Sequence, residues 1–256
     1  MDSLWKAPMS LRFLVLFCWL CLSPVSFAQQ EPIDVPFDDA ALSGSPIAAT
    51  GKISVRETVA ANEVTSSWDE DISATNRSTK SILLLIGDFD AIGPHSDGGT
   101  WLTMEYFFGD PISSGETFSL VKRTFGRGFC CINPLQTHEP KATFRLMFVQ
   151  FLDGSTFGDP AKAKDALANR DRTLKALRTL AQVAAGDKQR FQSQLEQQLR
   201  LDDTLGVFAC IRQTQEQNGT DAAIARTYKI LDAAEDYRDM TLHAGYIPWL
   251  REYPVY

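Results

Sequence analysis

The stretch Lys80 to Ala91, KSILLLIGDFDA, constrains the fold more than any other. Its consecutive apolar residues Ile82, Leu83, Leu84, Leu85 and Ile86 are too few to cross a bilayer, and they leave neither side of a strand polar. They read as a central strand covered on both faces, with the other apolar segments packed around it.

The beginning of the chain bears on its compartment. Lys6 and Arg12 precede an apolar run, Phe13 to Leu22, and Ser26-Phe27-Ala28 places small residues ahead of Gln29. This is the pattern of an export signal, residues 1–28, with cleavage expected after Ala28 and a secreted or periplasmic mature chain. Cys18 and Cys21 would leave with it. Losing Asp2, Lys6 and Arg12 takes the formal charge from −7 to −8. That balance favours solubility and argues against nucleic acid or an anionic membrane surface as partner. No membrane span is expected in the mature chain, whose roughly 230 residues suffice for one large core or two small ones.

Residues 29–50 carry Pro32, Pro36 and Pro46 with no sustained period, and read as an extended leader or linker. From Gly51 to Asp159 the period is that of strands. Ile53 and Val55 alternate with polar neighbours, as do Trp68, Ile72 and Ala74, and further strands follow at Trp101 to Phe108, Thr117 to Phe125 and Ala142 to Leu152. Gly93-Pro94, Gly98-Gly99, Gly109-Asp110-Pro111 and Asn133-Pro134 punctuate them. Short strands at short intervals with no helical pattern between them predict an antiparallel β-sandwich over residues 51–159.

An Asn/Ser turn before the Lys80-Ser81-Ile82 strand, an aromatic strand after it, and the run Phe148 to Gly158 (FVQFLDGSTFG) resemble the immunoglobulin-like β-sandwich domains of secreted bacterial proteins. The resemblance covers about residues 51–159. It implies a fold and carries no catalytic residue, because such domains host many functions.

At Asp159-Pro160 the period changes to that of a helix, with Asp159 as cap and Pro160 in the first turn. Leu167, Leu174, Leu177, Ala181 and Ala184 form one apolar stripe that ends at Gly186. Further helical stretches are predicted after Asp187, from about Asp203 to Gln217, and from Thr220 to about His243. The fold class is therefore α+β: the sandwich followed by a helical region of three to four helices, residues 160–243, either bundled or packed on the sheets. The glutamine-rich faces of the middle helices read as solvated.

Residues 244–256 form an aromatic tail in which Trp249, Tyr253 and Tyr256 are candidates for packing as a strap or for binding an unknown protein partner. Cys130, Cys131 and Cys210 are the cysteines of the mature chain. A bridge between adjacent Cys130 and Cys131 would be strained, so one of them pairs with Cys210 or all three stay as thiols.

No nucleophile elbow, HExxH, GxGxxG or P-loop is present, no cofactor is indicated, and an enzyme of a common class is disfavoured. His95, His138 and His243 lie in separate segments. Asp88, Asp90, His95 and Asp97, just past the central strand, are the candidate metal ligands, for Ca²⁺ through carboxylates or a transition metal through imidazole. The acidic run Asp69-Glu70-Asp71 reads as an exposed strand that protects an edge. Carbohydrate binding would need an aromatic face beside polar groups, for which Trp101, Tyr106 and Trp68 are candidates. The chain thus reads as an exported interaction or structural protein. A metal- or glycan-binding module and a hydrolase with an unfamiliar site are the alternatives.

Overall fold

The strand KSILLLIGDFDA is central, as its apolar run requires. The structure, a computed structural model, describes residues 31–60, 63–129, 137–201 and 205–243. Residues 1–28, Cys130, Cys131, Trp249, Tyr253 and Tyr256 lie outside the described residues. Within them β5 (Ile82–Ile92) is flanked by β8 (Lys141–Phe151) and β6 (Asp97–Glu105), with β2 (Phe37–Asp39) and β9 (Thr156–Gly158) beside β8. A facing sheet has the order β1 (Ile33–Asp34), β3 (Ile47–Ala60), β4 (Glu63–Asn76), β7 (Thr117–Phe129).

The two sheets share one core. Trp68, Val55 and Ile72 of the first sheet meet Leu85, Phe89, Phe144 and Val149 of the second. A register shift between Ile82 and Leu84 lets Ile82 and Leu85 enter this core while Leu83 and Leu84 turn to the other face. Five consecutive apolar residues are thereby all buried.

The leader expected over residues 29–50 is drawn into the sheets. Val35 is buried and its N–H donates to the Ile53 carbonyl at 2.9 Å. The Pro36 carbonyl accepts from Ala142 N at 2.7 Å, and an Asp39 carboxylate oxygen accepts from Ala49 N at 2.8 Å. Apolar residues between the prolines thus find both core and backbone partners. This also makes the second sheet mixed, because β2 joins β8 in parallel where an antiparallel arrangement was expected.

The helical region begins where the sequence places it. Asp159 caps a short 3₁₀ turn, Pro160–Ala163, by accepting from Ala161 N at 2.9 Å. It is followed by α1 (Lys164–Ala184), α2 (Lys188–Leu201), α3 (Val207–Asn218) and α4 (Thr220–His243). Asp187 accepts from the N–H groups of Gln189 and Arg190, capping α2. Leu177, Leu180, Phe191, Leu195, Phe208, Ile211 and Ile230 close a core among the helices. None of the described helices is long and apolar enough to cross a membrane.

The helices also pack on the outer face of the second sheet. Ala163, Ala166 and Leu167 cover Leu84, Ile86 and Phe148, and Leu174 and Ala234 close over Leu83 and Phe107. Burying each large apolar side chain contributes about 1.5–3 kcal/mol relative to exposure. Arg170 of α1, 2% exposed, enters this junction. It donates to both oxygens of Glu105 at 2.9 Å and to Gln150 at 2.7 Å, and lies 4.4 Å from the Phe107 ring centroid.

Candidate functional site

Beyond Ile86 the alternation along β5 continues, but the residues change. Phe89 and Ala91 stay in the core, while Asp88 and Asp90 take the outward positions. The helices stop short of them because the chain reverses at Gly158, whose φ of +91° and 2.2 Å approach of an added Cβ to the Met147 carbonyl admit only glycine. The 3₁₀ turn and α1 therefore settle over Leu84, Ile86 and Phe148. The other half of the face stays open.

Register brings the open half together. Trp101 of β6 stands opposite Asp88, and Asp88 stands opposite Arg145 of β8; in the next row are Gly99, Asp90 and Thr143. With strands about 4.8 Å apart, the strip is about 10 Å across. Arg145 Nη2 donates to Asp88 Oδ2 at 2.8 Å and also to Asp90. The hydrogen bond to Asp88, with the charges of Asp88 and Asp90 behind it, pushes the guanidinium pKa above its usual value. Trp101 is 50% exposed, and the Lys162 ammonium sits 5.8 Å from its ring centroid. Two carboxylates and two cations leave the strip without net charge.

The expected metal set does not form. Asp88 and Asp90 are engaged by Arg145, whereas His95 belongs to a turn that folds back onto β3. There Glu57, 2% exposed, accepts from His95 N at 3.0 Å, contacts His95 Nδ1 at 2.9 Å, and accepts from the Ser96 hydroxyl at 2.5 Å. Asp97 meets Arg127 through its backbone carbonyl. Among the described residues no group of three or more histidine, cysteine or acidic side chains is placed to hold a metal. Ser96 and His95 both end on Glu57, which clamps the turn; a nucleophile relay needs serine and imidazole bonded to each other.

Glu70 is also elsewhere than expected. It is fully buried, because alternation that turns Asp69 and Asp71 outward sends Glu70 inward beside Trp68 and Ile72. Its Oε2 accepts from Arg123 Nε at 2.6 Å, while its Oε1 and Arg123 Nη2 have no partner among the described residues. Arg123 and Arg127 flank Phe125, which stacks on Trp68 at 6.4 Å.

This burial sorts the aromatic candidates. Trp68 is wholly in the core, and Tyr106 is partly buried, its hydroxyl pKa pushed up to about 12 by burial and then by Glu116. Only Trp101 of the three displays half its surface. Arg145 and Lys162 escape sequence reading: Arg145 occupies an outward position within the alternating β8, but only the register reveals its partners.

Other features are less organised. A cavity of about 920 Å³ lies between α4 and the segments just before β5 and just after β8, lined by Lys80, Ser81, Leu152, Asp153, Asp236, Asp239 and Met240; its Lys80 is paired with Asp153 at 2.7 Å. Cys210, partly buried, has Arg226 Nη2 at 3.8 Å from its Sγ, and its expected partners fall outside the described residues. His138 is exposed, with its N–H on the Pro94 carbonyl. No family model, curated protein or solved structure matches the chain.

Proposed function

We propose that the chain is an exported binding protein, an immunoglobulin-like sandwich with helices docked on one sheet, that recognises its ligand on the open half of that sheet. One observation carries this reading. Trp101 stands half exposed on a strip whose remaining side chains are polar, beside Leu84, Ile86 and Phe148, which the first turns of the helical region bury. An exposed indole next to oriented carboxylates and a guanidinium provides apolar contact and directional hydrogen bonds at once, which is the composition of a recognition surface. The export signal read in residues 1–28 and the acidic balance suit a soluble protein outside the cytoplasm.

The test is thermal unfolding of the purified protein and its Trp101→Ala variant against neutral oligosaccharides, acidic oligosaccharides, peptides and divalent cations. A ligand at 100 times its dissociation constant adds about 2.7 kcal/mol, a shift of several degrees. The reading requires a saturable shift that the variant loses. A shift retained by the variant places binding elsewhere, and a panel without effect removes the proposal.

A further inference from the structure

We infer that the ligand of the Trp101 strip is a neutral carbohydrate, one face of a hexose ring lying on the indole while its hydroxyl groups meet Asp88, Asp90 and Arg145. This rests on the reading of the strip as a binding surface.

Charge is the first argument. Asp88 and Asp90 are both paired with Arg145, and Lys162 adds a second cation at the Trp101 ring, so a charged ligand has to compete with an ion pair already made. A polyol need not. Among the described residues Arg145 donates through Nη2 alone, which leaves Nε and Nη1 for ligand oxygens. Each carboxylate has lone pairs beyond the one used on Arg145 and accepts from ligand hydroxyls. Adjacent sugar hydroxyls are donor and acceptor together, and Thr143 and Thr103 extend the same polar surface along the strands.

Shape is the second. The strip is about 10 Å wide, the scale of one or two sugar rings, and its side chains project from a single sheet face. The C–H face of a hexose is apolar and matches the exposed indole, while the ring edge is polar and matches the neighbouring rows.

The third argument is what the strip lacks for other partners. A stable protein interface buries about 800 Å² per side around an apolar centre. Among the described residues the other large apolar side chains that stand exposed, Ile33, Leu42, Leu201, Tyr228 and Met240, are on other elements. In the two rows of the strip Trp101 is thus the large apolar side chain among polar neighbours, with Ile92 only partly exposed at its end. Without net positive charge, the strip also offers little to a phosphate backbone.

The experiment is isothermal titration of the purified protein with hexasaccharides of β-1,4-glucose, α-1,4-glucose, β-1,3-glucose and β-1,4-N-acetylglucosamine. An oligogalacturonate and an acidic peptide serve as charged controls, at low and physiological salt. At least one neutral series should bind saturably and independently of salt. Trp101→Ala should weaken it about tenfold or more, Trp101→Tyr should restore part of the loss, and the unfolding midpoints of both variants should stay near that of the parent. Trp101-dependent binding of a charged control alone overturns the carbohydrate assignment and leaves the binding surface standing. Neutral-sugar binding that Trp101→Ala leaves unchanged, or no binding of any probe, overturns both.

Discussion

Along β5 the outer face of the second sheet changes character between Ile86 and Asp88. On one side of Gly87 the face carries Leu84, Ile86 and Phe148 under the first turns of the helical region. On the other it carries Asp88, Asp90, Trp101 and Arg145 under solvent. Strands, pleat and pairing are continuous across the boundary, so cover and side-chain chemistry make the difference. Each half also holds an arginine on acidic or amide partners. Arg170 is bonded to Glu105 and Gln150 inside the junction, whereas Arg145 is bonded to Asp88 and Asp90 at the surface. A buried pair is costly to break because the remaining partner has lost its water; an exposed pair is screened and rehydrated at once.

The largest effect should come from the covered half. Arg170→Ala leaves the Glu105 carboxylate buried without its cation and should cost about 3–5 kcal/mol, measured by urea unfolding. A loss below about 1 kcal/mol would mean that water reaches Glu105 and that the two halves differ less than their burial indicates. Gly158→Ala tests the boundary itself. A side chain at φ +91° with the Met147 carbonyl in its path should cost about 2 kcal/mol or more. It should also perturb the placement of Lys162 beside Trp101, read as a change in indole fluorescence.

Much of this division was legible in KSILLLIGDFDA. The unbroken apolar run requires cover on both faces, but the sequence reading puts Asp88 and Asp90 just past the strand, whereas β5 runs on through them to Ile92 and D-F-D-A alternates as a half-exposed strand does. Asp159-Pro160 likewise marks the helical start, since cap and first-turn residue are local signals. Glu70 was legible too, because the period that sends Trp68 and Ile72 inward includes it; grouping it with Asp69 and Asp71 by charge hides that. The entry of Val35 and Phe37 into the sheets was not legible, because short segments between prolines carry no period. Nor was the strip. Asp88 and Arg145 are 57 positions apart, and their meeting depends on a register that includes shifts near Ile82 and Ile86.

A smaller effect is expected from the helix pair α1 and α4, between the two extremes of burial. Arg178 bonds both oxygens of Glu235, at 2.5 and 2.8 Å, and this holds the Glu235 pKa below its usual 4.5. A carboxylate with a depressed folded pKa stabilises above its unfolded value and loses that contribution as pH falls through the folded one. Nearby Asp171 has the opposite sign: burial raises its pKa, so protonation on acidification relieves a cost. Glu235→Gln should therefore lower stability by about 0.5 kcal/mol at neutral pH, given the partial exposure of the pair. The difference from the parent protein should shrink as pH falls below the ordinary carboxylate value. A difference constant with pH would assign the effect to packing instead of charge.

The smallest stability change belongs to the open half. Arg145→Ala removes the shared partner of Asp88 and Asp90, but both carboxylates remain in contact with water: their side chains are 25% and 53% exposed. The two like charges then face each other across one outward step of β5, a repulsion reduced by solvent and salt. The unfolding midpoint should stay near that of the parent, as for an ordinary surface substitution, while binding at the strip loses the Arg145 guanidinium. That pairing of outcomes is the sharpest contrast with Arg170→Ala, which should weaken the fold and leave the chemistry of the strip untouched. If Arg145→Ala instead destabilises as much as the buried variant, the strip contributes to the fold, and the polarity beside Trp101 has a structural origin. Near-parent stability with lost ligand response would mean that the uncovered half of the sheet is kept polar and open for recognition.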